Sequence, residues 1–584
     1  MKFDTIVRNG FIIDGTGSAG FYGDVGIIDG KIAAVGHLSD SEATAEIDAG
    51  GKIVAPGYIT QHTHYDAMLF WNPYCSNSGE NGVTTVVNAN CGFGFAPVRA
   101  ADRERTMAMM ETTEQIPVAH QRSAMTWDWE TFPEYLRRVR LLAKGLNVLT
   151  YLPANPLMIY VMGIEAAKTR RPTVAEFAQM HAIINEAMDA GALGVSFSVM
   201  GAEGNSHVDF DGTPMPTDAM DREVAVEIAR AVANRGEGVI QILSQISHHG
   251  DRSVSEAIAR MAKGSGARVI HNIFNTSERH PESVDGDLAW LSALRAEGLD
   301  VASQTIMYRA WIECSVRDMD VGGGQLQGVR DIVACQTQEQ VMALIGDEMF
   351  QSRFDAEYSA TELSHGASAL HLYTVIDTGS RSDLASFVGM TVADIAAVRN
   401  EGPMQTLMKL GVETNLQLQL KSPLVAARDP SQGIKLMSHP AVTVGVSDGG
   451  AHTKSNALGH YGTDLLVWLV RDQKVVTLEE MHFQLSLKAA QSVQIRDRGA
   501  IVPGFWADLV IYDLANLYVD TTRMSIIHDM PDGDWRRKTR AGGYSHILVN
   551  GVITHIADEP TGATPGQFVQ VTARRSAPLP SAAE

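Results

Sequence analysis

Hydrophobic positions change their spacing along the chain. Within residues 5–36 apolar and polar residues alternate, and Asp29-Gly30 is typical of a tight hairpin turn. The same alternation returns in 503–554, where Asn550-Gly551 supplies the turn. Two strand-rich ends around a different middle predict one small β domain built from both termini.

The middle of the chain predicts eight strands with helices between them. These strands are rich in β-branched residues and lack clear alternation, as expected for strands buried on both faces. Alternating strands and helices favour parallel βα units, and eight of them predict an α/β fold of the (β/α)₈ TIM-barrel type. The predicted strands are 58–63, 84–88, 147–152, 193–197, 238–243, 267–271, 299–303 and 442–447.

The connection after the seventh strand, about 304–436, is too long for a plain loop. We expect it to be an inserted subdomain that covers the barrel mouth and sets substrate choice. Its Met307, Tyr308 and Trp311 either line an apolar pocket there or form the core of the insertion. The predicted divisions of the chain are 1–56 and 501–567 for the β domain, 57–500 for the barrel, and 568–584 for a disordered or loosely attached tail.

Composition narrows the class of protein. The 584 residues are 45% hydrophobic and 20% charged, which indicates a globular protein of two or three domains. No apolar run reaches 18 residues and the N-terminus has no signal pattern, so we expect a cytoplasmic protein that does not enter a membrane. The net charge of −21 argues against nucleic acid as a partner and leaves room for a homo-oligomer. Four cysteines, Cys75, Cys91, Cys314 and Cys335, are too few for a disulfide framework.

The first candidate for chemistry is a pair of histidines. His62 and His64 lie two residues apart at the end of the first barrel strand. Residues i and i+2 of a strand point to the same side, and barrel enzymes place their sites at these strand ends. Both imidazoles therefore suit one metal ion, although a structural pair of histidines is the alternative.

Two further residues end apolar strands in the same way. Asp448 closes the eighth strand before two glycines, where an aspartate can bind metal and accept a proton, or simply shape the turn. Cys91 closes the second strand before a glycine-rich segment, and beside two histidines a thiolate is a credible Zn²⁺ ligand. The alternative for Cys91 is a small buried hydrophobe.

Together these motifs resemble the amidohydrolase superfamily, and more narrowly the N-acyl-D-amino-acid deacylase (D-aminoacylase) branch. The resemblance covers almost the whole chain, and the Gly-Val-Thr-Thr-Val-Val and Asn-Cys-Gly pieces are specific to this branch. Its markers are Pro56-Gly-Tyr-Ile-Thr-Gln-His-Thr-His-Tyr-Asp66, Gly82–Pro97, Ala190-Gly-Ala-Leu-Gly-Val-Ser196, His439-Pro440, Ser447-Asp448-Gly449 and Gly504-Phe-Trp-Ala-Asp508.

The resemblance implies a barrel with a β-sandwich formed by both termini. It also implies one or two Zn²⁺ per chain, with Asp448 as the catalytic base. The implied metal ligands are His62, His64, Cys91, His271 at the end of the sixth strand, and Asp448. For His271 the alternative is a structural histidine of the barrel.

The chain departs from the family pattern at two points. Gln241 stands where the family has a histidine after the fifth strand, so Gln241, His248 or His249 is left to fill that place. The substrate-binding arginine that follows the aspartate in the deacylases is absent here. His452 and Lys454 are the candidates to bind substrate instead. Lys454 offers a point charge but no bidentate fork, and a solvated loop lysine is the alternative that its surroundings favour.

The predicted function is hydrolysis of the amide C–N bond of a small molecule, such as a linear N-acyl amino acid, by metal-activated water. One alternative is a cyclic amide hydrolase of the hydantoinase or dihydropyrimidinase kind, against which the lack of a lysine at a barrel strand end counts. The other is a catalytically silent scaffold of the same fold. The missing histidine favours the scaffold, whereas His62, His64 and Asp448 argue against it.

Overall fold

The two ends of the chain share one sheet. In the computed structural model, residues 2–202, 209–244, 251–276, 280–319, 326–361, 369–424 and 430–571 are described. Ile53–Pro56 pairs antiparallel with Leu509–Tyr512, which joins the N-terminal strands to the C-terminal ones. Within the described ranges the sheet has nine strands: Lys2–Ile12, Phe21–Ile28, Lys31–Gly36, Glu42–Asp48, Ile53–Pro56, Leu509–Tyr512, Tyr544–Val549, Val552–Ile556 and Glu559–Pro560.

Eight parallel strands follow, numbered here β1 to β8, and they agree with the predicted positions. Parallel pairing links them in chain order, and Val446 of the last strand pairs with His62 of the first. Nearly all their side chains are buried, which explains the absence of alternation in the sequence. They are β1 (Tyr58–Thr60 and His62–Thr63), β2 (Val83–Asn88), β3 (Asn147–Thr150 and Leu152–Pro153), β4 (Gly194–Ser198), β5 (Val239–Leu243), β6 (Arg268–Phe274), β7 (Val301–Thr305) and β8 (Val442–Thr443 and Val446–Gly449).

Helices connect these strands and pack around them. The helix Val174–Asp189 begins with the capping box that Thr173 and Glu176 predict. The other α-helices before β7 are Arg103–Glu114, Val118–Ala124, Phe132–Leu141, Ala154–Met162, Ile164–Thr169, Pro216–Ala219, Arg222–Arg235, Ser253–Met261 and Ser283–Ala296. After β8 come Tyr461–Leu465, Leu478–His482 and Lys488–Ser492, with π-helical turns at Leu466–Asp472 and Phe483–Leu487.

The long connection between β7 and β8 has its own hydrophobic core, drawn from residues 312–420. Met307 and Tyr308 pack in the main core instead, and Trp311 packs with Ala457 and Met524. All three therefore lie outside the core of the insertion. The connection contains the strands Glu313–Cys314, Thr374–Asp377 and Gln419–Lys421 and the helices Gln327–Val333, Gln338–Gly346, Glu348–Ala360, Val392–Arg399, Pro403–Glu413 and Pro430–Ser438.

A buried ion pair fastens this insertion to the C-terminal part of the chain. Glu313 is fully buried and its carboxylate lies 3.2 Å from the guanidinium of Arg537. Arg537 belongs to the short ladder formed by Ser525–Ile527 and Arg536–Lys538, and Tyr518–Val519 pairs nearby with Ala541–Gly542. The backbone N–H of Glu313 also donates to the carbonyl of Ser455, in the loop after β8.

The start of the predicted tail is attached rather than loose. The backbone N–H of Val148 donates to the carbonyl of Gln567, and the N–H of Val569 donates to the carbonyl of Val148. The Phe568 ring lies 4.7 Å from the Arg140 guanidinium. The expectation for 568–584 is therefore corrected for 568–571, while 572–584 lie outside the described residues. Across the described ranges, the longest apolar helices fall short of what a membrane crossing requires.

Candidate metal centre

Three predicted ligands meet at the carboxyl ends of β1 and β2. His62, His64 and Cys91 are all buried, and one donor atom from each lies within 4.8 Å of the other two. The Cys91 Sγ lies 3.1 Å from the Nε2 of His62. A soft sulfur and two imidazole nitrogens in one place are the donors that Zn²⁺ prefers.

Asp448 joins this group from the end of β8. Its Oδ1 lies 3.2 Å from the Nε2 of His64 and 3.9 Å from the Nε2 of His62. Its side chain keeps 28% of its exposure, against 5% for His62 and 2% for His64. Asp448 is therefore the member of the group that is most open to a molecule arriving from outside.

Backbone geometry fixes these side chains. His64 donates its backbone N–H to the carbonyl of Gly449, so β1 and β8 are held together where their ligands project. A Cβ at Gly450, where φ is +96°, would lie 2.6 Å from the His64 carbonyl, so this approach requires glycine. Cys91 has φ of 57°, which is uncommon outside glycine and marks a turn held by its surroundings.

Two inward side chains hold the Cys91 turn. The backbone N–H of Cys91 donates to the Oε1 of Gln241 at 2.8 Å, and that of Gly92 donates to the Oγ of Ser196 at 3.1 Å. Gln241 is on β5 and Ser196 is on β4. Gln241 thus supports the backbone of a candidate ligand, while its own Nε2 has no partner among the described residues.

Electrostatics in the cluster favour a positive charge between carboxylates. Burial, reinforced by the charge of His64, lowers the pKa of His62 to about 4. Burial opposes protonation of His64 too, but Glu114 and Asp448 outweigh it and raise its pKa well above the usual range. Partial desolvation acts to raise the pKa of Asp448, yet the hydrogen bond and charge of His64 outweigh it and hold that pKa below its ordinary value.

The thiol completes this test of fit. Burial raises the pKa of Cys91 to about 12, so the sulfur keeps its proton unless a cation replaces it. Metal ions deprotonate a coordinating thiol outright and need neutral imidazoles. The low pKa of His62 provides one, and at His64 a bound cation would take the place of the proton that Glu114 and Asp448 favour. Two imidazoles, a thiol and a carboxylate therefore suit a divalent metal.

His271 does not join the cluster, and its assignment as a ligand is corrected. Its Nδ1 lies 2.8 Å from the Oγ of Ser255, and its ring lies 4.9 Å from Trp290, both on helices outside the strands. The next residue, Asn272, faces inward, with its amide nitrogen 2.9 Å from the Nδ1 of His62. Successive residues of a strand point to opposite faces, so the histidine and the site lie on opposite sides of β6.

The structure describes Gln241 and His452, two of the other residues at which the chain departs from the family pattern. Gln241 points inward, as the prediction left open, whereas His248 and His249 lie outside the described residues. His452 lies at the rim, with its backbone N–H donating to the carbonyl of Glu114 at 2.8 Å. A charge on its ring lowers the pKa of Asp448, so it remains a candidate for contact with substrate.

The ammonium group of Lys454 is paired with groups of the C-terminal segment. Its Nζ lies 2.6 Å from both the Oδ2 of Asp534 and the carbonyl of Trp535, and 4.2 Å from the centre of the Trp535 ring. These contacts give Lys454 a structural role between the β8 loop and the C-terminal segment. The prediction that it binds substrate is therefore corrected.

The sequence reasoning missed a carboxylate beside the cluster. Glu114, the last residue of the helix Arg103–Glu114, is buried with its Oε1 3.4 Å from the Nδ1 of His64. Burial raises its pKa. A signal was available, because Glu114 falls at helical spacing from the buried Met107 and Met110, so a carboxylate interrupts an apolar stripe.

Comparison with known proteins agrees with the resemblance drawn from the motifs. An N-acyl-D-glutamate deacylase of Alcaligenes xylosoxydans xylosoxydans is 25% identical over 594 residues, covering 100% of this chain and 99% of its own. An uncharacterized protein of Mycobacterium tuberculosis is 26% identical over 544 residues, covering 88% of this chain and 85% of its own.

Solved structures agree as well. The N-acyl-D-glutamate deacylase from Bordetella bronchiseptica, solved with zinc and a phosphonate inhibitor, has a TM-score of 0.63 at 22% identity, covering 98% of this chain and 100% of its own. The TM-score shows a shared fold and, at that identity, the fold alone. The profile of the amidohydrolase family matches residues 45–555, which is most of the 584 residues, so this chain belongs to the amidohydrolase family.

Proposed function

We propose that this protein is a metal-dependent hydrolase that cleaves the C–N bond of a linear N-acyl amino acid or a related amide. The observation that carries the proposal is the convergence of His62, His64 and Cys91 with Asp448. The full-length match to an N-acyl-D-glutamate deacylase supports the same reaction class.

The proposed fold is a closed (β/α)₈ barrel with a β-sandwich from both termini. Support for closure comes from the pairing of Val446 with His62, which returns the last parallel strand to the first. We keep 1–56 and 501–567 as the β domain and 57–500 as the barrel. This arrangement gathers the carboxyl ends of β1, β2 and β8 at one mouth, where barrel enzymes work.

The proposed metal is Zn²⁺, held by His62, His64, Cys91 and Asp448. When bound, it polarises the amide carbonyl and lowers the pKa of a water molecule to roughly 7. The residues contribute what the ion does not: the two histidines and the cysteine fix its place, and the buried surroundings limit access of bulk water.

Asp448 is the proposed proton carrier. Its carboxylate stays ionised because His64 holds its pKa low, and it is the exposed member of the group. It takes a proton from the attacking water and passes it to the leaving nitrogen. His452, whose ring lies close enough to Asp448 to help lower the pKa of that carboxyl, contacts the substrate in this proposal.

The insertion between β7 and β8 is the proposed wall of the substrate site. Its root touches the loop that follows Asp448, through the bond from Glu313 to Ser455. The hydroxyl of Tyr308, at the start of the insertion, donates to the carbonyl of Ser447 at 2.8 Å. An altered insertion would therefore change the surroundings of Asp448.

A linear amide fits better than a cyclic one. Cyclic amide hydrolases of the hydantoinase kind are expected to carry a modified lysine as a metal ligand at the end of a barrel strand. In the described β1–β8 the one Lys or Arg is Arg268, which begins β6 at the edge away from the cluster.

Two measurements test the proposal. Elemental analysis of purified protein is expected to find Zn²⁺ at about one or two per chain, with activity lost on chelation and restored by metal. A panel of N-acyl D- and L-amino acids and hydantoins is expected to give turnover of the linear amides. Active protein without a transition metal would exclude the mechanism, turnover of hydantoins alone would favour the cyclic alternative, and metal without turnover would favour the scaffold.

A further inference from the structure

Glu114 occupies a position that folding alone does not explain. It lies at the C-terminal end of its helix, where the backbone dipole disfavours an anion, and it is only 3% exposed. Among the described residues no lysine or arginine pairs with its carboxylate. Burying a carboxylate under these conditions destabilises a protein unless a specific partner compensates.

The partner is the ring of His64. Its Nε2 faces Asp448 at 3.2 Å, while its Nδ1 faces the Oε1 of Glu114 at 3.4 Å. An imidazole that binds a metal through Nε2 carries its proton on Nδ1, and an acceptor at Nδ1 fixes both the tautomer and the ring orientation. Glu114 holds its carboxylate at ion-pair distance from Nδ1, which makes no hydrogen bond among the described residues, so the carboxylate is placed to accept that proton from the side opposite Asp448.

The neighbouring ligand has an uncharged counterpart. Asn272 lies 2.9 Å from the Nδ1 of His62, and its Oδ1 has no partner among the described residues. Rotation of this amide by half a turn would present Oδ1 to the Nδ1–H of His62. Each histidine thus has an oxygen-bearing side chain behind it, a carboxylate for His64 and an amide for His62.

Glu114 also contacts the loop that follows Asp448. Its backbone carbonyl accepts from the N–H of His452 at 2.8 Å, four residues beyond Asp448. One residue therefore contacts a ligand on β1 and the loop after β8. We propose that Glu114 is a positioning residue that orients His64 for metal binding through Nε2, an inference that rests on the proposed metal centre.

The test compares the Zn²⁺ dissociation constants of Glu114 variants, measured by competition with a chromophoric chelator. Loss of such an outer partner typically weakens metal binding roughly 10–100-fold, and this is expected for Glu114→Ala. Glu114→Gln keeps an acceptor oxygen and is expected to recover most of the affinity. The matched control is Glu111→Ala, which removes an exposed carboxylate one turn earlier on the same helix.

A second readout reports on geometry. The absorption spectrum of the Co²⁺-substituted protein is expected to change in Glu114→Ala, to return toward wild type in Glu114→Gln and to stay unchanged in the control. Circular dichroism shows whether each variant is folded, and Glu114→Gln carries the test if Glu114→Ala is not. Folded variants with wild-type affinity and spectrum would overturn the role of Glu114. Wild-type protein that binds neither Zn²⁺ nor Co²⁺ would instead overturn the metal centre itself.

Discussion

Residues of β1 and residues of β5 and β6 face the same cluster from different strands, but their side chains differ in chemistry. At β1, His62 and His64 both point to the cluster; at β5 and β6, the amides Gln241 and Asn272 point there and His271 points to the helices. One side supplies the ligands and the other supports them. The face of the strand on which a residue lies therefore decides its role as strongly as its residue type.

The strongest test of this comparison is Asp448→Asn, which removes charge and basicity from the ligand side and keeps the shape. Loss of a general base typically lowers the rate roughly 10²–10⁴-fold. We expect a fall in kcat of that size in folded protein that still binds Zn²⁺ through the other three ligands. A kcat within about threefold of wild type at equal metal content would assign the proton transfer to another group.

The next largest effect is expected for Cys91→Ala, which removes the sulfur from the same side. As a ligand, Cys91 should matter more for metal affinity than an outer partner, whose loss typically weakens binding roughly 10–100-fold. Cys75→Ala is the matched control, because Cys75 is also buried but lies outside the cluster. Equal metal content in the two folded variants would make Cys91 a packing residue.

His271→Phe tests the opposite side. It keeps a ring between Phe274 and Trp290 but leaves the hydroxyl of Ser255 without its partner, which should destabilise the fold by about 1–3 kcal/mol near pH 8. Metal content should not change. A variant that folds and loses its metal would return His271 to the ligands.

The same variant has a pH signature. Burial lowers the pKa of His271 to about 3, below the roughly 6.5 of an unfolded histidine, so the unfolded chain alone binds this proton in between. Wild-type stability should therefore fall as pH drops from about 6.5 toward 3, by about 1.4 kcal/mol per pH unit from this residue. In His271→Phe that contribution is absent. The difference in unfolding free energy between wild type and variant, measured with denaturant, should therefore shrink as the pH falls.

The smallest effect is expected for Gln241→Leu, which removes the acceptor from the N–H of Cys91. A net hydrogen bond is worth about 0.5–1.5 kcal/mol, so Zn²⁺ affinity should fall roughly threefold to tenfold. Ser196→Ala removes the corresponding bond to Gly92 and serves for comparison. Complete loss of metal in folded Gln241→Leu would make Gln241 a ligand and end the distinction between the two sides.

Local sequence predicted the positions of all eight parallel strands and the meeting of His62, His64, Cys91 and Asp448. It succeeded because strand ends and i, i+2 spacing are local properties. It failed for His271, where a shift of one residue changes the face, and β6 and β7 change register between His271 and Phe274.

Two other outcomes depended on distant parts of the chain. Lys454 meets Asp534, eighty residues later, and no pattern around Lys454 shows that its charge is taken. Glu114 reaches His64 from a helix that follows β2, so its role depends on how that helix packs. Such pairings arise from tertiary structure, which hydrophobic spacing does not encode.

The strand Ile53–Pro56 can pair with Leu509–Tyr512 only after the ribosome has translated the second strand. Roughly 450 residues separate these strands, and a ribosome adding about 5–20 residues per second takes roughly 20–90 s to cross that interval. During that time Ile53–Pro56, which runs directly into the strand bearing His62, lacks its antiparallel neighbour. The nascent chain thus carries His62 and His64 for most of its synthesis before the strand that pairs with Ile53–Pro56 has been made.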